Sequence, residues 1–273
     1  MEAFIEKIIP EFLRYLGNLL LLTLGVIVVC GLAAWLAERL FVRLSGVGKF
    51  VYVSSIVGTP VHELGHAIMC VIFMHKITEM RLLLPPGHPS GTLGYVSHSF
   101  HPKNLWARLG NLFIGVGPIF SGLGVMILML VLCFPNQWSA YVETSNMLVG
   151  GSSEFGEIVS GVFSLLLSMP AAFADCWWQA LIGLAVILFV SQHITLSGAD
   201  IKGALSAIPL YVLLLAVVAG VTMAFGVQGT VLAALHVFNL WLLSLFSIAI
   251  AFSLVWILIA LVIWVLRRAR HWF

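Results

Sequence analysis

The sequence predicts an all-α polytopic membrane protein with about six transmembrane helices and a small membrane-associated β-hairpin between the second and the third. Of its 273 residues, 61% are hydrophobic and 9% are charged, and the mean hydropathy is +1.10. Soluble domains carry about 25% charged residues, so this composition excludes a soluble protein. The net charge of +2 is small and dispersed, which argues against a nucleic-acid partner.

Six apolar runs are long enough to cross a bilayer, which takes about 20 residues. They cover residues 15–37, 50–74, 109–134, 177–198, 204–226 and 237–266. Residues 77–84 and 92–98 flank a turn rich in proline and glycine, a pattern that predicts a β-hairpin. A shorter apolar piece, 158–169, is predicted as an interfacial helix, either an ordinary surface helix or a lid over the site. The whole chain, 1–273, is predicted to form a single transmembrane domain.

Lysine and arginine predict the orientation, because they accumulate in cytoplasmic loops. The basic residues of the tail and of the segment after the second run are Lys76, Arg81, Lys103, Arg108, Arg267, Arg268 and Arg270. The loop 135–176 has none; its acidic residues are Glu143, Glu154, Glu157 and Asp175, and it is predicted to be extracytoplasmic. We therefore expect a multi-pass protein of a bacterial cytoplasmic membrane with both termini in the cytoplasm. The basic loop 38–49 disagrees, because six spans place it outside.

The second run contains the sequence His62-Glu63-Leu64-Gly65-His66. Residues four apart lie on one face of a helix, so the two imidazoles can bind one Zn²⁺ while Glu63 serves as general base. Ionisable side chains inside a bilayer cost about 2.5–3.5 kcal/mol each, so three of them within five residues indicate a function. The motif predicts metal-dependent hydrolysis within the membrane.

A catalytic zinc usually has three protein ligands, and Asp200 is the strongest candidate for the third. His193, Ser197 and Asp200 are spaced four and three apart, which predicts that they share a helix face at the end of the fourth run. His193 is the alternative third ligand, or a donor that stabilises an oxyanion. Without a metal, Asp200 would be a solvated residue at a helix end and His193 an ordinary buried histidine.

The remaining histidines and cysteines carry weaker signals. Those in or beside the loop after the second run are interpreted as surface or interfacial residues: His75, His88, His98 and His101. The cysteines show no paired spacing and are interpreted as buried free thiols: Cys30, Cys70, Cys133 and Cys176. Thr59-Pro60 predicts a kink or a restart of the motif helix, with a water-filled cavity beside the irregular backbone.

The motif, followed two runs later by an aspartate, resembles the site-2 protease family of intramembrane zinc metalloproteases. Gly117-Pro118-Ile119 is similar to the Gly-Pro segment of these enzymes, which also have a β-element at the place of the predicted hairpin. The resemblance covers about 50–205, so 1–49 and 206–273 are accessory spans. The chain departs from the family where Ile201 follows Asp200, where Ser197 replaces an expected proline, and at Ser121, which stands near an expected asparagine.

The resemblance implies hydrolysis of peptide bonds in or near the transmembrane segment of single-span membrane-protein substrates. His62, His66 and Asp200 would hold Zn²⁺, Glu63 would act as base, and the hairpin edge at 92–96 would bind an extended substrate. The 135–176 loop has no room for a PDZ-type sensor, so regulation of that kind is either absent or supplied by a partner. Two other functions are compatible with the motif: a metal transporter or metal-sensing membrane protein, and a catalytically silent relative that binds membrane clients.

Overall fold

The computed structural model describes residues 2–45, 49–85, 87–89, 91–150 and 155–269. Its helices are α1 Glu2–Leu20, α2 Val26–Ser45, α3 Lys49–Ile72, α4 Leu105–Cys133, α5 Pro135–Gly150, α6 Phe155–Ser168, α7 Ala172–Ser191, α8 Gly198–Ala224 and α9 Gln228–Ala269. A π-helical turn joins α1 to α2, and strands β1 Lys76–Arg81 and β2 Tyr95–Ser99 follow α3. Parts of three predicted segments lie outside the described residues: Pro86 and Ser90 of the hairpin turn, Glu154 of the loop 135–176 and Arg270 of the basic tail.

The predicted architecture is confirmed. In the described part of the chain, six helical stretches are long and apolar enough to cross a membrane: Glu6–Leu44, Val51–Ile72, Leu105–Cys133, Gly156–Ser191, Gly198–Ala224 and Gln228–Val262. The two strands pair in antiparallel fashion between the second and third stretches. The chain is therefore a helical, multi-pass membrane protein with a small β-hairpin.

The segment 135–176 differs from the predicted loop, because it is largely helical. The piece predicted as a surface helix or lid belongs to α6, which a 3-10 turn joins to α7. Ile158, Val162 and Leu165 recur on one face of α6 and are buried, and Val162 and Leu165 belong to the main core beside α5 and α9. A helix is therefore present where one was predicted, and one of its apolar faces packs inside the bundle.

Helix α4 occupies the centre of the bundle. It packs against α3 and α8, and its second half joins α7 and α9 in the largest hydrophobic core. Ile119, Leu130 and Phe134 are completely buried in that core. Since lipid is as apolar as leucine, helices in a membrane associate by close packing, which small residues at the contact allow.

The contact between α3 and α4 depends on such a small residue. A Cβ added at Gly65 would lie 2.7 Å from the Gly117 carbonyl oxygen and would collide with the Ser121 hydroxyl. The Ser121 hydroxyl also donates a hydrogen bond to the Val61 carbonyl, at 2.8 Å. Gly65, in the centre of the motif, therefore sets the distance between the two helices.

We expect Gly65→Ala to lower the stability of the folded chain by about 1–3 kcal/mol, the usual effect of overpacking, because α3 and α4 must separate. The measurement is thermal unfolding in detergent. Gly124→Ala is the matched control, since Gly124 is an exposed position on α4 with no atom within 4 Å of an added Cβ. Equal unfolding temperatures for the two variants would contradict this account of the helix contact.

Candidate metal centre

His62 and His66 project from α3 toward one point. The His62 Nδ1–H donates to the carbonyl oxygen of His193 at 2.9 Å, and the His66 Nδ1–H donates to that of Ile114 at 2.7 Å. A carbonyl oxygen only accepts, so these bonds place the proton of each neutral ring on Nδ1. The two Nε2 atoms, 3.2 Å apart, then present lone pairs to the same position. Metal-binding histidines are commonly oriented in this way by backbone carbonyls.

Proline in α4 explains why the Ile114 carbonyl is available to His66. Inside a helix the carbonyl of residue i accepts from the N–H of residue i+4, which for Ile114 is Pro118. Pro118 has no N–H and lies within α4, so it leaves this carbonyl without its helical donor. The Gly-Pro segment thus supplies the acceptor that orients one of the motif histidines.

Asp200 meets the two histidines from the first turn of α8. One carboxylate oxygen, Oδ2, accepts from the Ser197 N–H at 2.7 Å, and the Asp200 N–H donates to Ser197 Oγ at 3.2 Å. This capping box begins α8 and fixes the carboxylate. The other oxygen, Oδ1, lies 3.2 Å from His66 Nε2, while Oδ2 is 3.8 Å from His62 Nε2. Gly115 permits the approach, because a Cβ there would lie 2.6 Å from the Asp200 carbonyl oxygen.

The three side chains fit a single metal ion. Ligand atoms on one tetrahedral zinc lie about 3.3 Å apart, because each is about 2.0–2.1 Å from the metal. The closest approaches here, 3.2 Å between the two imidazoles and 3.2 Å from His66 to Asp200, match that spacing. One atom from each of the three residues lies within 4.8 Å of the others. Two imidazoles and a carboxylate form a donor set suited to Zn²⁺.

The predicted helix face shared by His193, Ser197 and Asp200 is wrong. Helix α7 ends at Ser191, and Ser197 is the N-cap of α8, so Asp200 begins the fifth span rather than closing the fourth. The ring of His193 lies against Ser54, with Nε2 3.1 Å from its hydroxyl oxygen, while its backbone carbonyl holds His62. His193 therefore orients a histidine of the centre through its backbone, and its own ring is engaged elsewhere.

Glu63 lies beside the centre in a cavity of about 660 Å³. Its side chain is buried, and the cavity is lined by residues from α2, α3, α4, α8 and the hairpin. The Thr59 hydroxyl lines the same cavity and is buried with no hydrogen-bond partner among the described residues. Helix α3 continues through Pro60 as one element, so the helix does not restart there. The cavity reaches Thr59, the residue before this proline.

Three residues that line the cavity are not among the predicted site residues: Glu38, Arg39 and Thr195. Glu38 and Arg39, near the end of α2, line the cavity, and the half-buried Glu38 is a carboxylate inside an apolar stretch. That placement was a signal, since charge at membrane depth indicates function. Thr195, also in the lining, lies in the irregular segment between α7 and α8. Nothing in its local sequence distinguishes it.

The other histidines and the cysteines divide by burial. His88 and His101 are exposed, in agreement with their interpretation as surface residues. The same interpretation is wrong for His75, which is buried, whereas His98 is partly exposed. The cysteines are free thiols, with Cys30 and Cys70 buried and the other two partly buried.

Comparison with known proteins adds no relative to these observations. No family model, curated protein or solved structure matches the chain. The class of multi-pass membrane protein therefore rests on the six apolar helices, and the candidate centre rests on the geometry of its residues.

Proposed function

We propose that the chain is an intramembrane zinc metalloprotease that hydrolyses peptide bonds in or near the transmembrane segment of single-span membrane proteins. One observation carries the proposal: His62, His66 and Asp200 converge at metal-ligand spacing, with Glu63 beside them, in a cavity within a bundle of membrane-spanning helices. This arrangement combines a three-ligand site with a carboxylate that is not itself a ligand, which is the constellation of a metal-dependent hydrolase.

A zinc ion bound here would supply Lewis acidity for the scissile carbonyl and would make water a nucleophile near neutral pH. The chain's own residues transfer the proton and position the metal ligands. Glu63 accepts the proton of the attacking water and returns it to the leaving amine. The carbonyls of His193 and Ile114 keep the two imidazoles in the tautomer that leaves Nε2 free. Ser197 holds Asp200 by its carboxylate, so the ligand is fixed before substrate enters.

The hairpin provides a place for an extended substrate. A helical peptide bond is shielded, so hydrolysis requires a locally extended chain, and strand addition to a sheet edge would hold one. In the described sheet, β1 pairs with one edge of β2, and Tyr95 and Val96 of β2 line the cavity. Gly94, the residue before β2, lies close to the side chain of Glu63: a Cβ added at Gly94 would be 3.0 Å from the Glu63 Cγ.

The Thr59 hydroxyl, which has no hydrogen-bond partner in the described part of the chain, supports a polar occupant of the same cavity. Burying a hydroxyl without a hydrogen bond costs about 1–3 kcal/mol, so such a group in a cavity calls for an explanation. A substrate backbone amide or carbonyl between β2 and Glu63 would supply the missing partner.

The basic residues of the tail and of the hairpin region favour the cytoplasmic side for these segments and for both termini, in a bacterial cytoplasmic membrane.

The test uses the purified full-length chain in vesicles, together with a set of single-span membrane proteins tagged at both ends. We expect paired fragments from a cut in or beside the transmembrane segment of at least one protein of the set. Cleavage should stop after treatment with a zinc chelator and return with added Zn²⁺, because the three ligands alone provide no nucleophile.

Two other outcomes would overturn the proposal. Entry of Zn²⁺ into vesicles that contain a zinc indicator, without cleavage, would identify a transporter. Zinc-loaded protein that retains the tagged proteins intact would identify a client-binding protein without activity.

A further inference from the structure

A second group of metal-binding side chains lies near the C-terminal end of α3, one helical turn beyond His66. The thiol of Cys70 and one nitrogen from each of His75 and His98 lie within 4.8 Å of one another. Cys70 is in α3, one helical turn after His66, while His98 is on β2 opposite Ile77 of β1. None of these three residues belongs to the centre formed by His62, His66 and Asp200.

The end of α3 is shaped so that His75 meets Cys70. Met74 adopts the left-handed conformation, with φ +59°, which costs a residue with a side chain about 1–2 kcal/mol. This turn lets the His75 N–H donate to the Cys70 carbonyl at 2.8 Å and the Met74 N–H to that of Val71 at 3.3 Å. The pair of bonds is a Schellman motif, which places the two side chains side by side. An apolar pair usually occupies these positions, whereas here they are a thiol and an imidazole.

The ring of His75 is oriented as in a metal site. Its Nε2–H donates to the Ala107 carbonyl at 2.7 Å, which leaves Nδ1 as the lone-pair atom directed at His98. The two Nδ1 atoms are 2.9 Å apart. The ring also stacks on Phe100, with centroids 4.6 Å apart. A backbone carbonyl on the far nitrogen is the outer contact that holds a ligating histidine in place.

We propose that Cys70, His75 and His98 form a second metal site, a Zn²⁺ site with three protein ligands and water in the fourth position, which fixes the hairpin to the end of α3. A thiolate with two imidazoles is a donor set that Zn²⁺ favours, and each donor comes from a different part of the local structure. The two Nδ1 atoms are 2.9 Å apart, a little closer than the about 3.3 Å between two nitrogens on one tetrahedral zinc, and the thiol lies within 4.8 Å of a nitrogen of each ring. Small side-chain shifts would therefore bring the three donors onto one ion. Binding displaces the thiol proton, which passes to solvent.

The second site has a consequence for the first. Cys70 lies one turn after His66 on the same face of α3. Strand β2, which carries His98, also lines the cavity around Glu63. A metal that joins β2 to α3 holds the edge of the hairpin over the cavity. The second site does not depend on peptide hydrolysis, so it stands or falls separately from the proposed function.

Cobalt distinguishes the two sites, because Co²⁺ bound to a thiolate gives a sulfur-to-metal charge-transfer band in the near ultraviolet. The centre of His62, His66 and Asp200 has no sulfur. The experiment titrates the metal-stripped full-length protein in detergent with Co²⁺. We expect two equivalents per chain in the wild type, with the thiolate band accompanying one of them. His62→Ala/His66→Ala should bind one equivalent and keep the band.

Variants at the other cysteines show whether Cys70 supplies the thiolate even if the Cys70 variant misfolds. Cys70→Ser should abolish the band and one equivalent, while Cys30→Ser, at another buried thiol, should keep both. A triple variant with serine at positions 30, 133 and 176 retains Cys70 as the only thiol and should keep the band. Absence of the band in the wild type or in this triple variant would overturn the proposal, as would its persistence in Cys70→Ser.

Discussion

Glu63→Gln should reduce peptide hydrolysis by about 10²–10⁴-fold, the range that a positioned general base contributes. The amide has nearly the shape of the carboxylate but cannot accept the proton of water. Glu63 is buried at the wall of the cavity, beside the three candidate ligands, so glutamine should fit without displacing the helix. The measurement is the rate of cleavage of a tagged single-span protein in vesicles, together with the zinc content of the same samples.

The zinc content separates a loss of the base from a loss of the site. We expect Glu63→Gln to bind as much zinc as the wild type, because Glu63 is not among the side chains at ligand spacing. Glu143→Gln is the matched control: the same change at an exposed carboxylate on α5 should leave the rate unchanged. Full activity in Glu63→Gln would exclude the proposed mechanism, and loss of zinc would assign Glu63 to the metal.

Hydropathy predicts which segments span the membrane but not where each helix begins and ends. All six predicted apolar runs overlap a spanning helix. The ends differ where capping side chains determine them. Helix α4 begins at Leu105, four residues before the apolar run, because the Asn104 side chain accepts from the N–H groups of Trp106 and Ala107. In the same way, Ser197 begins a new helix inside a run that hydropathy treats as continuous.

Spacing along one helix was the reliable part of the site prediction. The four-residue interval of His62 and His66 is a local property, and the structure brings the two imidazoles together as the interval implies. The interval between His193 and Asp200 carries no such information, because an irregular segment separates α7 from α8. Asp200 reaches the centre through the packing of α8 on α4, which spacing in sequence does not reveal.

The groups that orient the two motif histidines could not be predicted from the sequence either. The carbonyls of Ile114 and His193 are backbone groups, which every residue has, so no residue type marks them. In the sequence Pro118 signals only the resemblance of the Gly-Pro segment, whereas in the structure its missing N–H leaves the Ile114 carbonyl available to His66. The burial of His75 was missed because it depends on the left-handed turn at Met74, where a glycine would be the usual signal.

Asp200→Ala should weaken metal binding at the centre by more than the 10- to 100-fold that loss of an outer contact typically costs. The change removes Oδ1, which lies 3.2 Å from His66 Nε2, and leaves two imidazoles where a catalytic zinc takes three protein ligands. Hydrolysis should be lost together with the metal. The measurement is a competition titration of Zn²⁺ against a chelating indicator, with the cobalt spectrum separating this centre from the thiolate site.

Ser197→Ala distinguishes the ligand role of Asp200 from its role in beginning α8. Alanine removes the hydroxyl that accepts from the Asp200 N–H at 3.2 Å, but the N–H of residue 197 still donates to Oδ2. We therefore expect it to lower stability by about 0.5–2 kcal/mol, the usual effect of losing a cap, while metal affinity is kept. If Ser197→Ala lost as much affinity as Asp200→Ala, Asp200 would act by capping α8, and the third ligand would have to be another group.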